Sequence, residues 1–353
     1  MTALSEPART EQNASLRPVP WRRMAWVTWR QHRFALAGVA VFLGALAAYL
    51  WHAGLQVHHA YAAVTACHPA TSNACGDMNS NFLNTYYHTA TLIPALLQAV
   101  PALIGAFVGA PVLARELETG TFRYAWTQGF GRWRWTLAKL LPLAIVLAAA
   151  AAAFSQLFSW YYRPFIADGQ YSPLATIVFD LRGIAFVAWA LAAFAIGALA
   201  GVLISRVIPA IVATLAAYTG LALGAGMFLR QHYMTPLTAK NMFDPPASAL
   251  IMSQWWTKGG TTVDQSWINQ QINALFYQLV PAAHGADGRA KKYNTNLNVM
   301  HHLTQHGYTQ WTTYQPASRF WPFQAIEAGW LLTLSALLLA GAVWLVHRGA
   351  AAR

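Results

Sequence analysis

Arg115-Glu116-Leu117-Glu118-Thr119-Gly120-Thr121 is the stretch from which the rest of the chain is read. It carries charges of both signs, and the apolar runs on either side carry almost none. The connection continues to Lys139 through a basic and aromatic run, Arg132-Trp133-Arg134-Trp135. Glu116 and Glu118 are two apart, so on a helix they point to different sides. Gly120 suits a helix C-terminus, and Gly129 and Gly131 permit a turn before the Arg/Trp run. The trace is an apolar helix that continues into water, stops, makes a short connector and re-enters at headgroup level through Trp133, Trp135 and Lys139. A plain polar loop with interfacial anchors satisfies the same physics.

Composition explains why a membrane enters the reading. The 353 residues are 56% hydrophobic and 10% charged, where soluble domains carry about a quarter charged residues. The net charge of +12 gathers beside apolar runs, which points to lipid and orientation rather than to nucleic acid.

Outward from the central stretch, six apolar runs are long enough to span: Phe34–Trp51, Thr89–Ala114, Leu137–Trp160, Gly183–Ile204, Ile208–Leu229 and Phe323–Val346. Residues 1–16 read as a disordered tail. Trp21 to Arg33 interleaves Arg with Trp26 and Trp29 on one helical face, which suits a helix lying in the headgroup layer. The first run exceeds a signal-peptide core, so it reads as an uncleaved span. Pro94, Pro101 and Pro111 predict a kinked or broken second span. Gly105/Gly109, Gly197/Gly201 and Gly220/Gly224 have the small-x-x-x-small spacing that lets helices approach, a weak signal where Gly and Ala are common throughout.

The fold class expected is an all-α integral membrane protein of six transmembrane helices. Residues 1–33 form a tail and interfacial helix, and 34–229 hold spans 1–5 with a loop at 52–88 and a connector at 115–136. Residues 230–322 form a large segment, and 323–353 the last span and tail. About 14 of the 23 Lys and Arg lie in the N-terminal flank, the 115–139 connection, Arg206 and the C-terminal tail, and 52–88 has none. Both termini and the connector therefore face the cytoplasm, and 52–88 and 230–322 face outside. Cys67 and Cys75, in that external loop, fit a disulfide. Within 230–322, 264–280 reads as a helix and Trp311–Tyr314 as extended.

Chemistry is sparse. There is no P-loop, since no lysine follows a glycine, and no G-x-S-x-G, H-E-x-x-H or C-x-x-C. His302 and His306 share a helical face without an evident third ligand, so no metal is assigned. Glu327, one turn into the sixth span, makes a candidate intramembrane polar site with Arg182 or Arg163. An interfacial carboxylate paired with a neighbour or water is the competing reading.

The 115–139 arrangement resembles the transmembrane subunit of ABC exporters of the ABC-type-2 permease class. In that class a Glu-containing segment ending in Gly-Thr follows the second of six spans and leads into a cytoplasmic coupling helix and a basic run. Glu116, Glu118, Gly120, Thr121, Arg132 and Lys139 are the matching positions. Trp21–Arg33 resembles the connecting helix of the class, and Pro316–Glu327 resembles a segment before the last span in actinobacterial members. The long 230–322 segment departs from the compact external loops of the class.

The resemblance implies a non-enzymatic export permease in the cell membrane, working as a homo- or heterodimer. It would move a hydrophobic or amphipathic substrate, powered by a separate ATP-binding cassette subunit that supplies the ATP and Mg chemistry, with no cofactor in this chain. Glu116, Glu118, Gly120, Thr121 and Arg132 would then couple to the ATPase. The alternative is a membrane-anchored enzyme or a sensor or immunity protein that uses the external histidines.

Overall fold

The computed structural model describes residues 21–69, 72–120, 132–169, 171–243, 245–246, 248–279 and 298–349, with backbone alone for 21–36, 39, 73 and 279. The expected tail, Thr121 and the connector at 121–131 lie outside them. The fold is mostly helical, and six helices are long and apolar enough to cross a membrane. They are span 1 (Ala40–Thr65), span 2 (Ala74–Thr119), span 3 (Arg132–Ala167), span 4 (Gly183–Ile204), span 5 (Val207–His232) and span 6 (Ala317–Arg348). Alternation of direction puts the 120–132 connection, the Ser205–Arg206 turn and Arg348 at one end, called here the basic end. The 66–72 turn, the 168–182 link and the 233–316 segment lie at the other.

The first two helices correct the expected loop at 52–88. One helix runs from Trp21 to Thr65 without a break, so Trp21–Arg33 is not a separate element. The chain turns only around Pro69 and resumes helix at Asn73. Polar residues stay helical here because Leu50, Ala53 and Val57, spaced three and four apart, bury one face of the helix. Trp51 and His58 stack on Trp160 of span 3 at 4.9 and 4.7 Å, and His58 Nε2 donates to Trp160 O at 2.8 Å. The Cys67–Cys75 disulfide forms across the turn, and Ser72 Oγ accepts from the Cys75 amide at 3.2 Å as the next helix begins.

Span 2 is broken as its prolines predict. It runs Asn73–Leu97, Ala99–Ile104, a π-helical turn Gly105–Gly109, and Ala110–Thr119. The π turn crosses span 4, whose most apolar window is 61% buried against 17% for span 5, so span 4 is the central post. Backbone meets backbone at this crossing. A Cβ on Gly105 would lie 2.6 Å from Ala193 O, one on Gly109 2.6 Å from Phe194 O, and one on Gly201 2.5 Å from Ala110 O. Two of the three glycine pairs are thus a real contact. Gly220 and Gly224 have open space around them.

The all-α expectation fails in the 230–322 segment. Four strands, β1 (Leu237–Lys240), β2 (Leu250–Lys258), β3 (Thr261–Thr262) and β4 (Tyr308–Gln315), form an antiparallel sheet in the order β1-β4-β2-β3. The expected extended stretch Trp311–Tyr314 lies inside β4, and the expected helix is Gln265–Leu279. Trp256 from β2 buries against Ile268 of that helix and Val299 and Leu303 of a helical stretch at 298–305, giving the sheet its own small core. Apolar residues two apart on one strand line one face, and those three or four apart on the helix line the facing side. Gln315 Nε2 donates to Met234 O at 2.9 Å and Ser172 Oγ to Ser248 O at 2.9 Å, which seats the sheet on the bundle.

Candidate functional site

At the basic end, the last turn of span 2 carries the stretch from which the reading began. Gly120 stands at φ 70°, left-handed, and ends the helix where a side chain would be strained. Leu117 points into the bundle, and the two glutamates on either side of it go to different neighbours. Glu116 pairs with Lys139 of span 3, which is buried and also lies 4.6 Å from the Trp135 ring. Glu118, exposed, accepts from the Val207 amide at 3.0 Å. Val207 is the first residue of span 5, so Glu118 places a negative charge on a helix N-terminus whose amides lack intrahelical partners. The 115–120 stretch therefore ties the end of span 2 to the starts of spans 3 and 5. Arg132 is exposed at the start of span 3.

At the opposite end lies a buried charge cluster. Arg230, 3% exposed, follows a π-helical turn at the end of span 5. Its Nη2 and Nε donate to Glu327 Oε1 and Oε2 of span 6 at 2.7 and 3.0 Å, a two-pronged pair. Nη2 also meets Asp180, in the link before span 4, and the guanidinium lies 4.4 Å from the Phe179 ring. Trp189 Nε1 donates to Glu327 Oε1 at 2.8 Å and Tyr233 OH to Glu327 Oε2 at 3.1 Å. Trp330 Nε1 in turn donates to Tyr233 OH at 2.9 Å. One cation thus serves two carboxylates. Glu327 holds the better set of donors, and burial pushes the Asp180 carboxyl up to about 7 against the pull of Arg230.

This cluster corrects the pairing expected for Glu327. Arg182 lies instead 5.0 Å from the Phe320 ring, with Nε and Nη1 lacking hydrogen-bond partners, and Arg163 is exposed. Burial lowers the Arg182 pKa from its ordinary value. Arg230 was missed because a single base after an apolar run reads as a headgroup flank. Only the packing of span 6 and the 168–182 link over it makes it interior. His302 and His306 stack at 4.2 Å, and no group of three or more potential ligands occurs among the described residues. A cluster of this kind joins span 5, span 6 and the link before span 4.

Compared with known proteins, residues 40–230 match the family model described as ABC-2 membrane transporter related. No curated protein and no solved structure matches the chain.

Proposed function

The chain belongs to the ABC-2 membrane transporter related family, and from that premise we propose that it is the permease subunit of an ATP-driven export system. The match runs from span 1 to Arg230 and so includes Glu116, Glu118 and both of their partners, Lys139 and Val207. In this reading a separate ATP-binding cassette subunit holds ATP and Mg and docks on the connector between spans 2 and 3 from the cytoplasm, where both termini also lie. The substrate is hydrophobic or amphipathic.

The observation that carries the reading is the pair of glutamate links. A force on the connector reaches span 3 through Glu116–Lys139 and span 5 through Glu118 and the Val207 amide. Three spans would move together, which is what alternating access needs. Glu116 and Glu118 then act on neighbouring spans, while Thr121 and Arg132 would couple to the ATPase itself. Gly120, left-handed, sets where the connector leaves the helix. A permease dimer is supported by the Gly220/Gly224 face of span 5, which has helix-contact spacing and where an added Cβ would meet no described residue within 4 Å.

The test is Glu118→Lys in the assembled complex. Reversing the charge at the span 5 N-terminus is expected to uncouple transport while leaving membrane insertion intact. ATP hydrolysis that stayed substrate-stimulated at the normal level would refute the coupling role.

A further inference from the structure

A groove of about 530 Å³ runs between span 3 and span 6 in the half of the bundle nearer the basic end. Trp133, Leu141 and Ala144 line one wall, and Ala336, Ala340 and Trp344 the other. The two helices run antiparallel, so Trp133 and Trp344 stand together at one mouth with His347 beside them. Small residues make the hollow, since Ala336 and Ala340 are exposed where larger side chains would fill it.

Length and width restrict the occupant. From Trp133 to Ala144 is about 17 Å at helical rise, close to the roughly 15 Å of one hydrocarbon leaflet. Spread along that length, the volume corresponds to an open groove of about 30 Å² in section. Extended hydrocarbon fits it.

Charge restricts the occupant further. No Asp or Glu occurs in 132–167 or 328–353, while Arg132, His347 and Arg348 stand at the helix ends that form the groove mouth. The Arg348 guanidinium lies 4.4 Å from the Trp344 ring, which holds it over the rim. A Cβ on Gly349 would lie 2.9 Å from Arg132 Nη1, so the start of span 3 and the end of span 6 bring their cations to one place. Paired tryptophans and bases at the end of an apolar channel are the arrangement a phospholipid requires at the headgroup boundary.

We propose that this groove is a binding site for an anionic phospholipid of the leaflet at the basic end, with one acyl chain between spans 3 and 6 and the phosphate at Arg348 and His347. The lipid would fill the seam between span 3, which carries Lys139, and span 6, which carries Glu327. The site stands whether or not the chain exports anything.

The test uses the full chain in nanodiscs of phosphatidylcholine doped with phosphatidylglycerol bearing a mid-chain photoreactive diazirine. Labelled peptides should map to 137–144 and 336–343, and a phosphatidylcholine probe with the same chain should label them several-fold less. Arg348→Gln should cut the preference for phosphatidylglycerol about fivefold, the effect of one base near the surface. Ala340→Trp, at an exposed position, should remove labelling from the groove and leave labelling of the lipid-facing residues of span 5 unchanged, an internal check on folding. Equal labelling by the two headgroups, labelling spread evenly over all spans, or labelling insensitive to Ala340→Trp would overturn the proposal. Chain-to-chain cross-links from position 340 would do so too, since a second copy would then occupy the groove.

Discussion

Replacing Arg230 by Met isolates what the buried cluster does. The guanidinium is 3% exposed and Glu327 is fully buried, so the change leaves two carboxylates facing each other in a dry site. Breaking a buried pair from one side costs about 3–5 kcal/mol, because the remaining charge is stranded. Adding Glu327→Gln should recover much of that loss. The amide keeps an oxygen for Trp189 Nε1, and only Asp180, at the edge of the cluster, still needs a proton. The double variant is therefore expected to fall short of the additive sum by at least about 1.5 kcal/mol. The loss in Arg230→Met should also shrink as pH falls from 8 to 5, because protonation of Asp180 removes one of the two stranded charges. The assay is reversible unfolding in mixed micelles followed by tryptophan fluorescence. Single and double losses that add to within about 0.5 kcal/mol would refute the reasoning. So would a loss independent of pH.

Four further outcomes follow from the same structure. In the wild-type protein the folded Asp180 pKa of about 7 lies above its ordinary 3.8, so the folded state binds this proton more tightly. That stability is present below about 3.8 and is lost as pH rises through about 7, which unfolding midpoints between pH 4 and 8 will check. Gly109→Val drives a side chain into Phe194 O across the span 2–span 4 crossing and should cost at least about 1–3 kcal/mol, read as a lower unfolding midpoint. Lys139→Ala strands Glu116 and should destabilise more than Lys139→Met combined with Glu116→Leu, compared in the same assay. Reducing Cys67–Cys75, whose partners are 8 residues apart, should cost about 2–3 kcal/mol by loosening the unfolded chain, measured with and without reductant.

Much of the bundle is legible without coordinates. Six apolar runs announce six spans because hydrocarbon accepts only segments whose backbone bonds are satisfied internally. Pro94, Pro101 and Pro111 announce the breaks in span 2, and Gly120 the end of its last turn, because ring and Cβ constraints act within one residue of the chain. The helix ends were misjudged for a related reason. Hydropathy marks where lipid ends, and span 1 continues to Thr65 because Ala53 and Val57 still bury against neighbours. The sheet in 230–322 escaped because its pairing joins β4 to β1 and β2 across long sequence separations, and its strands lack a clean alternation.

For the charged sites the division is sharper. Sequence alone could place Glu116 and Glu118 at the basic end and say that they face apart, since helical geometry sets that from spacing. It could not say that one reaches Lys139 and the other the Val207 amide, because those partners come from spans 3 and 5. Glu327 was conspicuous as a lone carboxylate in an apolar run, but its partner was not. An arginine at a span end has the same sequence signature whether it meets water or a carboxylate. For Arg230 the tertiary fold decided, when span 6 and the link before span 4 closed over it and left Glu327 and Asp180 as its neighbours in place of water.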